Sequence, residues 1–397
     1  MIQEIEAIVK THEKEIIELT QKLIQIQSIS GDEGEIIDFL ANKLEEIGFD
    51  EITIDAMGNL IGKLGNGPKI LAFDGHVDTV ELGELKLWKF NPLGGELSNQ
   101  CIYGRGSCDQ KGGLASVLIA LKILKEIGIP KEMTIYYVAS IQEEICEGAN
   151  WKFILENLEK HPHYVILTEP SNLAISIGQR GRLDLKLTVK GLSSHGAEPD
   201  IGINAIYKMN PIIKELEELH QSLPIDLTFG KGTLAITDIK STSVSLNAVA
   251  DSCTIHIDRR LGLQDRLENA KEEIENLPSV KEAKAEIIIP DYEVKSYKNH
   301  SFKIKGYYPT WLMEESHPLV KCAKKTFAFL FKEEPKIETW RFSTNGVTTK
   351  GQYNIPTIGY GPGEERFAHT IQEHVKIEQL TKATQFFLAL IIELAKI

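Results

Sequence analysis

The chain has 397 residues, 42% hydrophobic and 25% charged, with a formal net charge of -13. That balance describes an ordinary globular protein of roughly two or three domains. The acidity, with no basic block to offset it, excludes a nucleic-acid partner, and no apolar run reaches the roughly 20 residues of a membrane span. The five cysteines, Cys101, Cys108, Cys146, Cys253 and Cys322, form an odd set without CxxC spacing, which fits reduced thiols. With an amphipathic, charged N-terminus (MIQEIEAIVKTHEKE) in place of a secretion signal, a cytoplasmic location is expected.

Strand and helix signals alternate over residues 51–177, the pattern of an α/β layer fold with a largely parallel central sheet flanked by helices. The apolar run 70–73 reads as a buried strand leading to His76 and Asp78 in FDGHVDT. Residues two apart on extended chain share a face. A metal-bound imidazole usually donates its other N–H to a carboxylate or carbonyl, so His76 reads as a ligand and Asp78 as its orienting partner. Taken alone, the pair would be only a strand-end histidine capped by an aspartate.

Residues 101–104 look strand-like and 112–127 helical, which sets Asp109 of GRGSCDQKGG on the turn between them. An isolated aspartate there would be a helix cap, but a carboxylate can also hold two metal ions roughly 3.5–4 Å apart. Gly104, Gly106, Gly112 and Gly113 do not have dinucleotide-binding spacing. The β-branched, aromatic strand 133–141 ends at Glu143 and Glu144, whose side chains diverge on extended chain. One can bind metal while the other serves as general base. Glu169 follows the strand 164–167, which Pro170 ends. Cys108 and Cys146 adjoin these positions as small packing residues.

After GQRGR (178–182) the grammar changes to strand 183–189, helix 204–219, strands 232–240 and 248–258, helix 263–275 and strand 283–289. That βαββαβ order is a ferredoxin-like unit, expected as a mobile lid and dimerisation domain over 178–292, inserted into a catalytic domain of 1–177 and 293–397. The connector 290–316 carries no assigned element, and its Tyr307, Tyr308 and Trp311 suit either a pocket wall or a packed loop. A helix at 319–331, strands near Thr339 and Thr357, and a final helix over 377–395 complete the chain. His369 lies beyond the turn of Gly361, Pro362 and Gly363.

His76, His369, Asp109, Glu144 and Glu169 make a hard oxygen and imidazole set suited to two divalent ions, Zn2+ first, with Co2+ or Mn2+ as alternatives. Such ions leave modest positive charge that stabilises a bridging hydroxide and then the oxyanion of a tetrahedral intermediate, so the chemistry expected is hydrolysis.

These segments, in this order and over nearly the whole chain, resemble the dinuclear zinc metallopeptidase family of acetylornithine deacetylase, succinyl-diaminopimelate desuccinylase, aminoacylase and glutamate carboxypeptidase. GQRGR, STNGV (343–347) and YPTW (308–311) look most like its selenium-metabolism hydrolase branch. The resemblance implies that Asp109 bridges the ions, with His76 and Glu169 on one and Glu144 and His369 on the other, and that Glu143 is the base. It implies that His195 of SSHGAEP polarises the scissile carbonyl from the partner subunit of a homodimer formed through the lid. Asn247 and Arg260 would meet a substrate carboxylate, and a cis, non-proline peptide would follow Asp109. Two positions depart from the family pattern, Asn345 for aspartate and Gln372 for asparagine; both are expected beside the cleft, Asn345 as a substrate contact. The implied function is a metal-dependent amidohydrolase of the deacylase, dipeptidase or carboxypeptidase type, acting on a small molecule at an amide bond adjacent to a free carboxylate. The alternative is a non-catalytic, metal-binding or scaffolding member of the fold.

Overall fold

Strands buried on both faces carry runs of apolar residues, and the strand Lys69–His76, with seven of its eight residues buried, has such a run over 70–73 ahead of Asp74 and His76. In the computed structural model, which describes residues 2–397, it lies in a nine-stranded mixed sheet. It pairs in parallel with Met133–Ser140 on one side and Tyr164–Leu167 on the other, and Tyr164–Leu167 pairs in parallel with Thr357–Gly359. The margins are largely antiparallel: Glu51–Ile54 and Leu60–Leu64 flank one side, and Ile175–Gln179 and Trp311–Leu312 the other. The helices Gly112–Ile127 and Ile377–Leu394 seal the sheet, with Phe73 of the central strand meeting Phe387 edge to face at 5.4 Å. Each such fully buried aromatic or aliphatic side chain contributes roughly 1.5–3 kcal/mol.

The parallel strands all deliver their carboxyl ends to one edge, the usual place for a site in such sheets. His76 ends its strand, Glu143 and Glu144 follow Ser140, Glu169 follows Leu167, and the loop to His369 follows Gly359. Gly361 makes this convergence possible: a Cβ there would lie 2.3 Å from the carbonyl oxygens of Thr168 and Glu169, so only glycine lets the two loops touch.

The smaller sheet has the strand order Thr233–Thr242, Ser252–Leu261, Gly181–Lys190, Glu286–Ile288, antiparallel throughout. This is the ferredoxin-like order expected from the βαββαβ pattern. Alternate residues of Ser252–Leu261 point inward to a separate core with Leu185, Leu187, Met209, Ile212 and Ile274. Pro278, at the first turn of Pro278–Ala283, divides the second helical stretch in two, so the last strand starts at Glu286 and not at 283.

Several expectations need correcting. Gly178 and Gln179, expected in the lid, pair with Leu312 and Trp311 in the larger sheet, and the smaller sheet begins at Gly181. The connector is ordered: Asp291–Lys295 and Ser301–Lys305 form a hairpin, Tyr307–Tyr308 adds to the smaller sheet, and Trp311–Leu312 to the larger. Tyr308 and Trp311 are buried, while half-buried Tyr307 and the edge of Tyr308 line a pocket with Glu147, Phe153 and Phe302 that includes none of the predicted metal ligands. The N-terminal stretch is two helices, Ile2–Thr11 and Glu13–Gln25.

Candidate metal centre

Six side chains meet at the sheet edge. His76 is 1% exposed; its Nε2 lies 2.9 Å from Asp109 Oδ1 and 3.9 Å from Glu169 Oε2. The other oxygen of Asp109 lies 3.3 Å from His369 Nε2, which is itself 2.9 Å from Glu144 Oε2. Asp109 therefore turns one oxygen to each imidazole, as a carboxylate shared between two cations would. The ligand atoms of His76, Glu143 and Glu169 lie within 4.8 Å of one another, as do those of His76, Asp109 and Glu144. Glu143 is buried, and its Oε1 has no hydrogen-bond partner.

The electrostatics describe an anionic nest short of positive charge. Burial pushes Glu143 and Glu169 well above the usual carboxylate range and Glu144 above it, and neighbouring carboxylates push further. Against the pull of burial, His369 and His76 hold Asp109 below its ordinary value. Hydrogen bonds that its ring donates to the carboxylates of Asp109 and Glu144 push His369 up to about 10. Four carboxylates facing two imidazoles, mostly out of water, are a poor arrangement for the protein alone. Divalent cations fit this donor set.

Asp78 does more than expected. The Nδ1–H of His76 is 2.9 Å from the Asp78 backbone carbonyl, with the carboxylate at 3.5 Å, which leaves Nε2 free for the site. The Asp78 carboxylate also accepts the amide N–H groups of Glu143 and Glu144, each at 3.1 Å, and the Ser30 hydroxyl at 2.6 Å. One residue thus orients both a histidine and the glutamate pair.

Sequence reasoning missed two supporting groups. Glu373 Oε1 accepts the amides of Cys108 and Asp109 at 3.2 and 3.1 Å, while its other oxygen pairs with Arg105, itself near the Thr370 carbonyl beside His369. This buried pair ties together the loops of two of the six side chains. Glu33 likewise accepts the amide of Gln142, at a φ of 55° just before Glu143. Glu373 sits four residues after His369, a hint in the sequence; Glu33 offered none. His369 itself has a φ of 61°, uncommon for a residue with a Cβ and frequent at functional sites. The peptide Asp109–Gln110 is cis.

Asn345 corrects an expectation. It has no exposed surface; its amide donates to Asp74 and Ser140 at 2.8 and 3.2 Å and its oxygen accepts from Gly148. With its polar groups bonded inside the protein, Asn345 holds the fold beneath the site and offers nothing to a substrate. Gln372 is exposed.

The lid residues stand apart from the cluster. His195 is exposed, bridges Ala248, and lies next to Asn247 through the bond from Gly196 N to Asn247 O at 2.6 Å. Its Nδ1 accepts the Ala197 amide at 3.0 Å, so the neutral ring carries its proton on the open Nε2. Arg260 pairs with Asp258 through two bonds of 2.8 and 3.0 Å. Among the described residues, no hydrogen bond or ion pair joins these three to the metal cluster.

The sequence pattern of peptidase family M20/M25/M40 matches residues 72–393. The chain is 40% identical over 381 residues to the uncharacterized protein YgeY of Escherichia coli K12, covering 96% of this chain and 94% of that protein. It is 27% identical to succinyl-diaminopimelate desuccinylase 1 of Alteromonas mediterranea over 96% of each. The fold matches aminopeptidase PepT of Bacillus cereus with a TM-score of 0.73 at 22% identity, over 96% of this chain and 99% of that one. It also matches the Bacillus subtilis YXEP protein, a dinuclear metal binding peptidase, with a TM-score of 0.72 at 16% identity, over 98% and 99%. The finer resemblance to selenium-metabolism hydrolases has no counterpart among these four. With that pattern spanning most of the sequence, and the sheet, lid and ligand cluster in place, the chain belongs to peptidase family M20/M25/M40.

Proposed function

We propose that the protein is a metal-dependent amidohydrolase that cleaves an N-acyl, peptide or related C–N bond adjacent to a free carboxylate. The observation that carries this reading is the convergence of His76, His369, Glu144 and Glu169 on the two oxygens of Asp109, with the unpartnered Glu143 beside them. His76 and Glu169 would hold one ion, Glu144 and His369 the other, and Asp109 both. Zn2+ is favoured, with Co2+ or Mn2+ as alternatives. When bound, the ions supply Lewis acidity toward water and the scissile carbonyl. Glu143 takes a proton from the attacking water on its free Oε1 and returns it to the departing nitrogen. Asp78 keeps His76 in the right tautomer and fixes the backbone under Glu143.

His195 presents an Nε2–H outward, the donor an oxyanion requires. We assign it to the active site of a partner subunit. The supporting feature is the exposed apolar surface of the same unit: Tyr207 is 77% exposed and Leu246 fully so, and Ile201, Ile203 and Val244 are exposed as well. The outer strand Thr233–Thr242 leaves an edge open to pairing. Asn247 and Arg260 are assigned to the substrate carboxylate. We also infer a cytoplasmic location, which five unpaired cysteines suit; among the described residues no helix is long and apolar enough to cross a membrane.

The test is a hydrolysis screen of zinc- and cobalt-loaded protein against N-acetyl, N-succinyl, N-carbamoyl and dipeptide substrates. Protein that holds two ions per chain yet turns over none of these would defeat the proposal.

A further inference from the structure

A cleft of about 910 Å3 opens between the two units. Its walls include Asn172, just beyond Glu169, the strand end at Trp340 and Arg341, and Glu365 on the loop to His369; the lid segment 227–230 forms its rim. It therefore begins between two loops that carry proposed metal ligands. Burial keeps the Glu365 carboxyl above its ordinary value, with Arg341 pulling it down and Asp109 pushing it up. Glu365 thus feels both Asp109 of the metal centre and Arg341.

The charges in this cleft do not balance. Lys336 is matched by Glu338 at 2.5 Å, and Arg366 by Glu364 at 2.7 Å. Arg341 is exposed and makes no hydrogen bond or ion pair among the described residues. Arg180 spends one nitrogen on the Phe229 carbonyl. The acid that acts on it, Asp226, already accepts the amides of Thr228, Phe229 and Leu263. Burial, opposed by Asp226 and reinforced by the like charges of Arg260, Arg341 and Arg259, holds Arg180 below the usual arginine value. Arg259 and Arg260 have carboxylate partners of their own, but Arg341 has none. The lining carries four cationic side chains, Arg180, Lys336, Arg341 and Arg366, against three carboxylates, Glu338, Glu364 and Glu365, a small positive excess in a chain of net charge -13, and a concave one.

We propose that this cleft is a subsite for an anionic oxygen group on the part of the substrate remote from the scissile amide, with Arg341 as its specificity-determining contact and Arg180 in support. The guanidinium fork matches a carboxylate or phosphate through two parallel hydrogen bonds. This group is additional to the carboxylate assigned to Asn247 and Arg260. Its role in turnover rests on the amidohydrolase reading; its affinity for anions does not.

The experiment has two arms. In the first, glutarate and inorganic phosphate are titrated calorimetrically into the metal-loaded wild type, Arg341→Met and Arg341→Lys. Arg341→Met should weaken the preferred anion roughly 10- to 100-fold, as loss of hydrogen bonds to a charged group implies, and Arg341→Lys should lose less. The anion that the wild type holds more tightly identifies the group. In the second, N-glutaryl-alanine is compared with N-pentanoyl-alanine, which differs mainly in lacking the terminal carboxylate. For a carboxylate subsite, Arg341→Met should raise KM for the glutaryl substrate and leave the pentanoyl substrate unchanged. Failure of the wild type to bind either anion, unchanged affinity in Arg341→Met, or equal loss on both acyl substrates would overturn the subsite. If the wild type hydrolyses neither substrate, the amidohydrolase reading suffers, and the anion affinities alone decide the subsite.

Discussion

The residues around Asp109 and those around His195 are built in opposite ways. Asp109, His76 and Glu169 are buried; Glu373 fixes the backbone at Asp109, and Asp78 that of the neighbouring Glu143 and Glu144. His195 and Asn247 sit on exposed lid turns with side-chain groups open to solvent. A metal site needs its ligands held close against their mutual repulsion, so the body provides rigid support. If His195 acts on a bound substrate as proposed, the substrate must enter first, and an exposed lid turn allows that.

The largest expected effect lies at the rigid end. Glu143→Gln should lose about 100- to 10,000-fold in turnover while keeping its metal, because a general base is removed and no ligand is. His369→Ala should lose metal, as read by elemental analysis after dialysis; the reverse pattern would exchange the two roles. At the free end, His195→Ala should cost about 100- to 1000-fold in kcat with metal content unchanged. Mixing His195→Ala subunits with Glu143→Gln subunits should restore up to about half the activity per heterodimer if the histidine works across the interface. Heterodimers that remain inactive would confine His195 to its own subunit.

Smaller effects sharpen the contrast within the body. Glu373→Ala leaves Arg105 buried and unpaired and releases the amides of Cys108 and Asp109, so metal affinity should fall about 10- to 100-fold in a competition titration with a chelator. Asn345→Asp should act on stability, with little change in KM. It sets a second carboxylate against Asp74 in a place without water, costing about 2–4 kcal/mol by denaturant unfolding. Adding Asp74→Asn should restore much of that loss, since the pair interacts directly. A raised KM in Asn345→Asp would instead return this residue to the cleft.

The parallel strands were legible because burial on both faces demands continuous apolar runs, and 70–73, 133–141 and 164–167 have them. Acids and histidines at the ends of such runs then pointed to one sheet edge, where the structure collects them. Contacts made at long range were not legible. Arg105 and Glu373 are 268 residues apart in sequence, and Asp74 and Asn345 are 271 apart; nothing local marks a charged or amide side chain as fully enclosed. Asn345 lies in a motif that borders the cleft in sequence, but its side chain turns inward to satisfy Gly148 and Asp74. The connector escaped because its strands are only two to five residues long, too short for periodicity to register.

The two chain crossings between the sheets lie side by side. Outbound, Arg180 alone separates Gln179 of the larger sheet from Gly181 of the smaller; on the return, Pro309 and Thr310 separate Tyr308 from Trp311. These segments are also paired with each other: Gln179 with Trp311, Arg182 with Tyr308, and Gly181 N donating to Thr310 Oγ1 at 3.0 Å. Two ribbons cross-linked at one seam resist sliding and stretching but can bend together. Any swing of the lid would have to bend this seam and act against the Arg182–Glu147 pair beside it, and it would carry segment 227–230 past Arg341.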